Sequence, residues 1–294
     1  MRALLLILIV SFLGARECRV PLSLAPSIGP LNFSRIERNL DIIRNLKKDK
    51  NLLKKLCFYS IYFKEHNIPW SMVLVFNKNH PKGPFWFLPH DNENSAFDSA
   101  IYATLKYGGG FLAVETGGKR NNHKIDPNRN FSLKRTKRCK PSPIFTKTVF
   151  RVIEHFKPKS MPYLSLHSNS DGFRGDGRGG RGTISILKKS KSTKSFPAYE
   201  KILQTKRGGL ADEDSLVYIA GRASNPPKSK LDSLLRAGLN VKYEIVSPKT
   251  NDCSMSNFII LNKKSTNYYN IEVEHSDTKT QKKMIDKLLK VINN

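Results

Sequence analysis

The chain has 294 residues, 39% of them hydrophobic, enough to build a sizeable core in one large α/β domain or one domain with decorations. Fifty-one Lys and Arg against 24 Asp and Glu leave a net charge of +27. A positive potential of that size attracts nucleic acid, anionic lipid, acidic glycan or anionic cell-wall polymer, and it speaks to association rather than fold.

The N-terminus has a short basic start, Met1-Arg2, then an almost wholly apolar run from Ala3 to Gly14, with the small residue Ala15 suited to cleavage. That is the layout of a secretory signal peptide over residues 1–15. The run is too short for a transmembrane helix, which needs about 20 residues. Arg16 and Glu17 stand where small residues would precede a lipidated Cys18, which excludes a lipoprotein signal. A secreted or periplasmic location is expected, with no transmembrane span after signal removal; an uncleaved anchor is the alternative. The four cysteines, Cys18, Cys57, Cys139 and Cys253, lack paired C-x-x-C spacing. A cysteine-based zinc site is therefore not expected, and two disulfides are allowed in any of three connectivities.

Residues 16–33 are rich in Pro and Ser and read as a leader into a single domain over 34–294. From Ser34 to about His66, Ile36, Leu40, Ile43, Leu46, Leu52, Leu53 and Leu56 predict helix, with Lys and Arg on the other face. Ser71 to Phe76 and Phe85 to Leu88 are short apolar runs that predict strands, separated by a turn cluster at Asn77 to Gly83. A helix capped by Asn94 or Ser95, with Phe97, Ile101 and Leu105 on one face, ends at Gly108-Gly109-Gly110. Phe111 to Val114 predicts a strand, 115–142 a basic loop, Phe145 to Phe156 a helix and Tyr163 to Leu166 a strand. After a Gly-rich, basic stretch over 169–196 come a strand (Leu216 to Ala220), a helix (Lys230 to Ala237) and a strand (Val241 to Val246). Two further strands (Phe258 to Leu261 and Tyr268 to Val273) and a helix (Thr280 to Ile292) complete the reading. Strands alternating with helices predict an α/β fold with a mixed, largely parallel central sheet flanked by helices. Ligand sites in such folds lie at the carboxyl ends of strands.

Four features sit at predicted strand ends or in the loops between them. His90 and Glu93, three apart after Phe85 to Leu88, pair an imidazole with a carboxylate, donors that suit zinc. His167 ends the Tyr163 strand and is a candidate third ligand, although a lone loop histidine is the commoner case. Asp126-Pro127-Asn128-Arg129-Asn130-Phe131 combines turn chemistry with a guanidinium able to grip a carboxylate. Glu272 and Glu274 lie in an apolar strand, where a carboxylate is costly unless it works or pairs. Alternation puts both on one side, so a shared solvent face is the plain reading.

Taken together and in order, His90-x-x-Glu93, Arg120, Asp126-Pro127-Asn128-Arg129-Asn130-Phe131, His167-Ser168 and Glu272 resemble the zinc carboxypeptidase family related to carboxypeptidase A, over roughly residues 70 to 290. The resemblance implies a zinc-carboxypeptidase-like fold and Zn2+ held by His90, Glu93 and His167, which requires their donor atoms to converge within about 4 Å of one another. It implies that the ion lowers the pKa of water and polarises the scissile carbonyl. It further implies Glu272 as base, with Glu274 the alternative, and Arg120 as oxyanion partner. Asn128 and Arg129 would hold a peptide substrate's free C-terminal carboxylate. The chain departs from the pattern at Ser254-Met255-Ser256-Asn257-Phe258, where digestive members carry a Tyr, and at Asp91. The short span between Glu93 and His167 also resembles zinc deacylases and amidohydrolases of the aspartoacylase-like branch. The alternatives are such a deacylase, or an inactive member that binds anionic cell-wall or glycan polymer through its basic surface; a specific nucleic-acid partner is not expected.

Outside this constellation, Arg174 to Arg181 reads as a loop over the site rather than an RNA-binding arm. Lys188 to Lys194 reads as a solvated basic run, and Cys139, in the basic run Lys134 to Lys140, as a disulfide half or an inert thiol.

Overall fold

The computed structural model describes residues 18, 28–30, 39–172, 181–205 and 208–293, with backbone alone at 28–30. The expected signal peptide, nearly all of the leader and Arg174 to Gly180 lie outside the described residues.

Among the described residues one ten-stranded sheet runs in the order β1-β2-β3-β5-β4-β6-β10-β8-β9-β7. The strands are β1 (Ile28–Pro30), β2 (Leu56–Glu65), β3 (Ile68–Asn77), β4 (Phe85–Leu88), β5 (Gly110–Glu115), β6 (Tyr163–Asn169), β7 (Thr193–Phe196), β8 (Leu216–Gly221), β9 (Asn240–Ile245) and β10 (Tyr268–Glu274). The helices are α1 (Leu40–Lys48), α2 (Leu52–Lys55), α3 (Asn94–Tyr107), α4 (Pro143–Phe156), α5 (Lys228–Arg236), α6 (Met255–Phe258) and α7 (Thr278–Asn293). The expected mixed α/β sheet is found. Its centre, β5-β4-β6-β10, is parallel, β8 and β9 are parallel to each other, and the remaining pairings are antiparallel.

Both faces of the central strands are covered, which is why β4 reads Phe-Trp-Phe-Leu without a polar break. Trp86 and Leu88 enter the core that holds Phe97 of α3, Leu234 of α5 and Leu288 of α7. Phe85 and Phe87 point the other way, into the core with Phe145 and Phe150 of α4 and Phe258 of α6. Gly109 turns the chain from α3 into β5 at φ 68°, and a side chain there would collide with the Pro84 carbonyl.

Two expectations are corrected. Leu56 to Glu65 is not the end of a helix but strand β2, paired antiparallel with β3 along its whole length. Cys57, Tyr59 and Ile61 are buried while Phe58, Ser60 and Tyr62 are less so, an alternation that aromatic and β-branched residues favour in sheets. His66 and Asn67, at φ 51° and 63°, make the two-residue hairpin turn whose left-handed backbone matches strand twist. Phe258 to Leu261 is helical rather than extended. Ser254 caps α6 by accepting a bond from the Asn257 N–H, and a π-helical turn, Ile259–Lys263, continues it. A four-residue apolar run looks the same in a buried strand and a buried helix. Strands β1 and β7 were not anticipated.

The cysteines pair as Cys18–Cys57 and Cys139–Cys253, with no free thiol. Two disulfides fit an oxidising compartment. Among the described residues no helix is long and apolar enough to cross a membrane.

Candidate metal centre

Parallel pairing brings the carboxyl ends of β4, β6 and β10 together, and the candidate residues gather there. His90 follows β4, and Glu93 immediately precedes α3. His167 stands in β6 directly beside Glu272 of β10. His90, Glu93 and His167 are all buried, and one donor atom from each lies within 4.8 Å of the other two. His90 Nδ1 is 2.7 Å from Glu93 Oε1, and His167 Nδ1 is 3.5 Å from Glu93 Oε2. Donors sharing one ion at about 2 Å lie within about 4 Å of each other. The 4.8 Å bound on this group is wider than that value, so its donors stand near, not at, the spacing of ligands on one ion.

The neighbours of the three residues hold them in place. The second ring nitrogen of His90 is 2.8 Å from Asp126 Oδ1, the carboxylate–histidine arrangement that fixes a ligand's ring and tautomer. The Ser168 N–H donates to Glu93 Oε2, and Gln281 donates to the His167 carbonyl. The other ring nitrogen of His167, Nε2, is buried with no hydrogen-bond partner among the described residues. Two imidazoles, one carboxylate and an orphaned ring nitrogen fit a divalent metal.

Burial disfavours the His90 cation, but hydrogen bonds to Asp126 and Glu93 outweigh it and raise the His90 pKa. Burial likewise works against the Glu93 carboxylate, and the two histidines outweigh it and lower its pKa. Asp126 is lowered to about 2, the His90 hydrogen bond overcoming its partial burial.

Arg120 is half exposed and donates to Glu93 Oε1 at 3.1 Å, so its guanidinium sits at the mouth of the cluster. Asn128 and Arg129 lie on a short 3-10 turn, Pro127–Arg129, capped by Asp126, whose side chain accepts from the Asn128 N–H. Asp126 therefore ties that turn to His90. Asn128 Oδ1 accepts from the Met255 N–H, and Arg129 pairs with Asp252 at 3.3 Å.

Beside the cluster opens a cavity of about 370 Å³, lined by Asn128, Arg129, Tyr218, Lys242, Glu244 and Glu272 among others. Glu272 lines it and Glu274 does not. The two do share a face, as alternation requires, but that face is buried, not solvent-exposed. Burial raises the Glu272 pKa, with Asn270 donating to Oε1 at 3.0 Å. His275 contacts Ser168 Oγ through Nδ1 at 2.8 Å.

Sequence reading gave no role to Asp126 as the partner of His90, nor to Tyr218, Lys242 and Glu244. The signal for the last two is present: Lys242 and Glu244 are polar residues two apart in the otherwise apolar run Val241 to Val246. Lys242 Nζ donates to the carbonyls of Ser185 and Lys188, and Glu244 accepts from Ser256 and Asn257.

No family model matches the chain, and no curated protein is similar to it. Among solved structures, one provisionally named a metallopeptidase, from Shewanella amazonensis, is 11% identical, with 87% of this chain and 93% of that chain covered and a TM-score of 0.43. Another provisional metallopeptidase, from Shewanella denitrificans, is 9% identical over 87% of this chain and 89% of its own, at a TM-score of 0.43. A provisional carboxypeptidase A, also from Shewanella denitrificans, is 12% identical over 90% of this chain and 68% of its own, at 0.42. These are distant resemblances, so the chemistry must be argued from the side chains themselves.

Proposed function

We propose that the protein is a zinc-dependent hydrolase that cleaves a peptide or amide bond next to a free C-terminal carboxylate. One observation carries this reading: Glu272, which lines a cavity together with Asn128 and Arg129, stands directly beside His167 of the buried His90, Glu93 and His167 group. Bound zinc supplies a Lewis acid that lowers the pKa of water and polarises the scissile carbonyl. Glu272, whose burial raises its pKa, accepts the attacking water's proton and passes it to the leaving amine. Arg120 turns its guanidinium toward the oxygen that gains negative charge. Asn128 and Arg129 hold the terminal carboxylate, with Asp252 keeping the Arg129 guanidinium in place.

Elemental analysis of the purified protein, paired with hydrolysis of a peptide carrying a free or an amidated C-terminus, tests the reading. The expected result is stoichiometric zinc that His90→Ala abolishes, with activity on the free acid alone. Equal rates on both peptides would point to the deacylase alternative. Absence of zinc, or a His90→Ala variant as active as the parent, would refute the metal chemistry.

A further inference from the structure

Between Asp126 and Glu154 the sequence has eight Lys and Arg and no Asp or Glu, about three times the chain's average density of net charge. Five of those cations, Lys134, Arg135, Lys137, Arg138 and Lys140, project from one loop and are exposed. None of the five is in an ion pair among the described residues. Like charges crowded on a flexible segment spread apart and cost little; here they are held. The Thr136 N–H donates to the Cys139 carbonyl, and Thr136 Oγ1 accepts from the N–H groups of Arg138 and Cys139. Ser132 donates to the Lys134 carbonyl, and His66 Nε2 lies 2.8 Å from the Pro141 carbonyl. Cys139 is bonded to Cys253, in the segment that lines the cavity with Asp252 and Ser254.

The loop forms one wall of a groove of about 520 Å³, lined by His66, Arg129, Arg135, Arg138 and Lys140. Arg135 and Arg138 bring guanidinium forks without counter-carboxylates to this wall, on a backbone held in place, and such forks suit planar or tetrahedral anions. No Phe, Tyr or Trp lines the groove, so nucleobases find no ring to stack on. Arg129 belongs to both the groove and the cavity. A chain lying in the groove therefore reaches the edge of the cavity that Glu272 also lines.

We propose that this groove is a binding site for an acidic glycan, a linear polysaccharide carrying repeated sulfate or carboxylate groups. Binding there holds the protein on an anionic matrix with its cavity open. The proposal stands apart from the catalytic reading, since it needs neither metal nor turnover.

Heparin is the probe. Its affinity for the full-length protein is measured by titration calorimetry across a salt series, together with two charge-matched double variants. Arg135→Glu with Arg138→Glu reverses the groove. Arg236→Glu with Lys290→Glu reverses the same charge on α5 and α7, both exposed. The expected result is at least a tenfold loss for the first pair and less than about twofold for the second. Equal losses would mean that heparin reads net charge alone and would overturn the site. Acetylation footprinting of the parent protein gives a second readout that needs no variant. Heparin is expected to protect Lys134, Lys137 and Lys140 more than Lys287 and Lys290, and uniform protection counts against the groove. An oligothymidylate of matching charge that binds as tightly, with the same loop dependence, would replace the glycan with nucleic acid and overturn the assignment.

Discussion

Asp126 links the two halves of the candidate centre, orienting the His90 ring and capping the turn that presents Asn128 and Arg129. An outer carboxylate of this kind is worth about 10–100-fold in metal affinity. Asp126→Asn is therefore expected to weaken zinc binding by that factor in a chelator competition, with the fold intact by circular dichroism; unchanged affinity would reduce Asp126 to a turn former. Glu272 makes a sharper case, because Glu272→Gln keeps the shape and removes the base. It should cut kcat by about 10²–10⁴-fold while zinc content stays at the parent level. If Glu274→Gln produced that loss instead, the other carboxylate would be the base. A third residue speaks to stability. Asp214 is buried, neither of its oxygens has a hydrogen-bond partner among the described residues, and burial together with Asp212 and Glu213 pushes its pKa up to about 9. A carboxyl raised in the folded state stays protonated while the unfolded chain ionises, so stability is full below about pH 4 and falls as pH rises toward 9. Asp214→Asn should leave stability at pH 4 nearly unchanged and raise it on the order of 2 kcal/mol at pH 8. Urea unfolding at the two pH values checks this, and a gain of equal size at both would remove the titration as its cause.

At the scale of elements, β4 and β5 are legible because both their faces are buried and their sequences are nearly unbroken apolar runs. The ends of the sheet were harder. β2 carries a polar outer side and follows directly on α2, so the helical spacing of Leu52, Leu53 and Leu56 runs into the strand without a breaker. Only the aromatic alternation after Cys57 marks the change. The motif residues were readable by their order, whereas the cavity lining was not, since it depends on β8 and β9 being laid beside β10. That placement sets Tyr218 next to Asn270 on one side and Lys242 on the other. The Cys139–Cys253 bond joins the basic loop to the segment leading into α6 and closes a span of 114 residues. Chain-entropy reasoning gives about 4–5 kcal/mol as the upper range for a loop of that size. Replacing both cysteines with Ser should cost about 2–4 kcal/mol in guanidinium unfolding. Because Asp252 and Ser254 flank the bond, it should also raise KM more than it lowers kcat. A kcat loss at unchanged KM would place the bond's influence on the reacting centre instead.

Over the whole molecule, composition told of the charge but not of its arrangement. Acidic side chains are drawn inward: Glu93, Glu213, Glu272, Asp212 and Asp214 are all buried, whereas the cations of the Lys134–Lys140 run stand in solvent. The outer surface is therefore more one-sided than the +27 total implies. Compaction brings those cations closer than they are in the unfolded chain, so self-repulsion opposes folding. Salt screens it, since the Debye length falls from about 30 Å at 0.01 M to about 8 Å at 0.15 M. Thermal unfolding of the metal-loaded protein should accordingly move upward by a few degrees between 0.01 M and 0.15 M sodium chloride, at about 2–4 °C per kcal/mol for domains of 150–250 residues. Arg135→Glu with Arg138→Glu, which dilutes the densest cluster, should flatten that dependence. A melting temperature that falls with added salt would mean that attractive pairs such as Arg44–Asp98 and Lys48–Asp98 outweigh the repulsion, and would reverse this account of the surface.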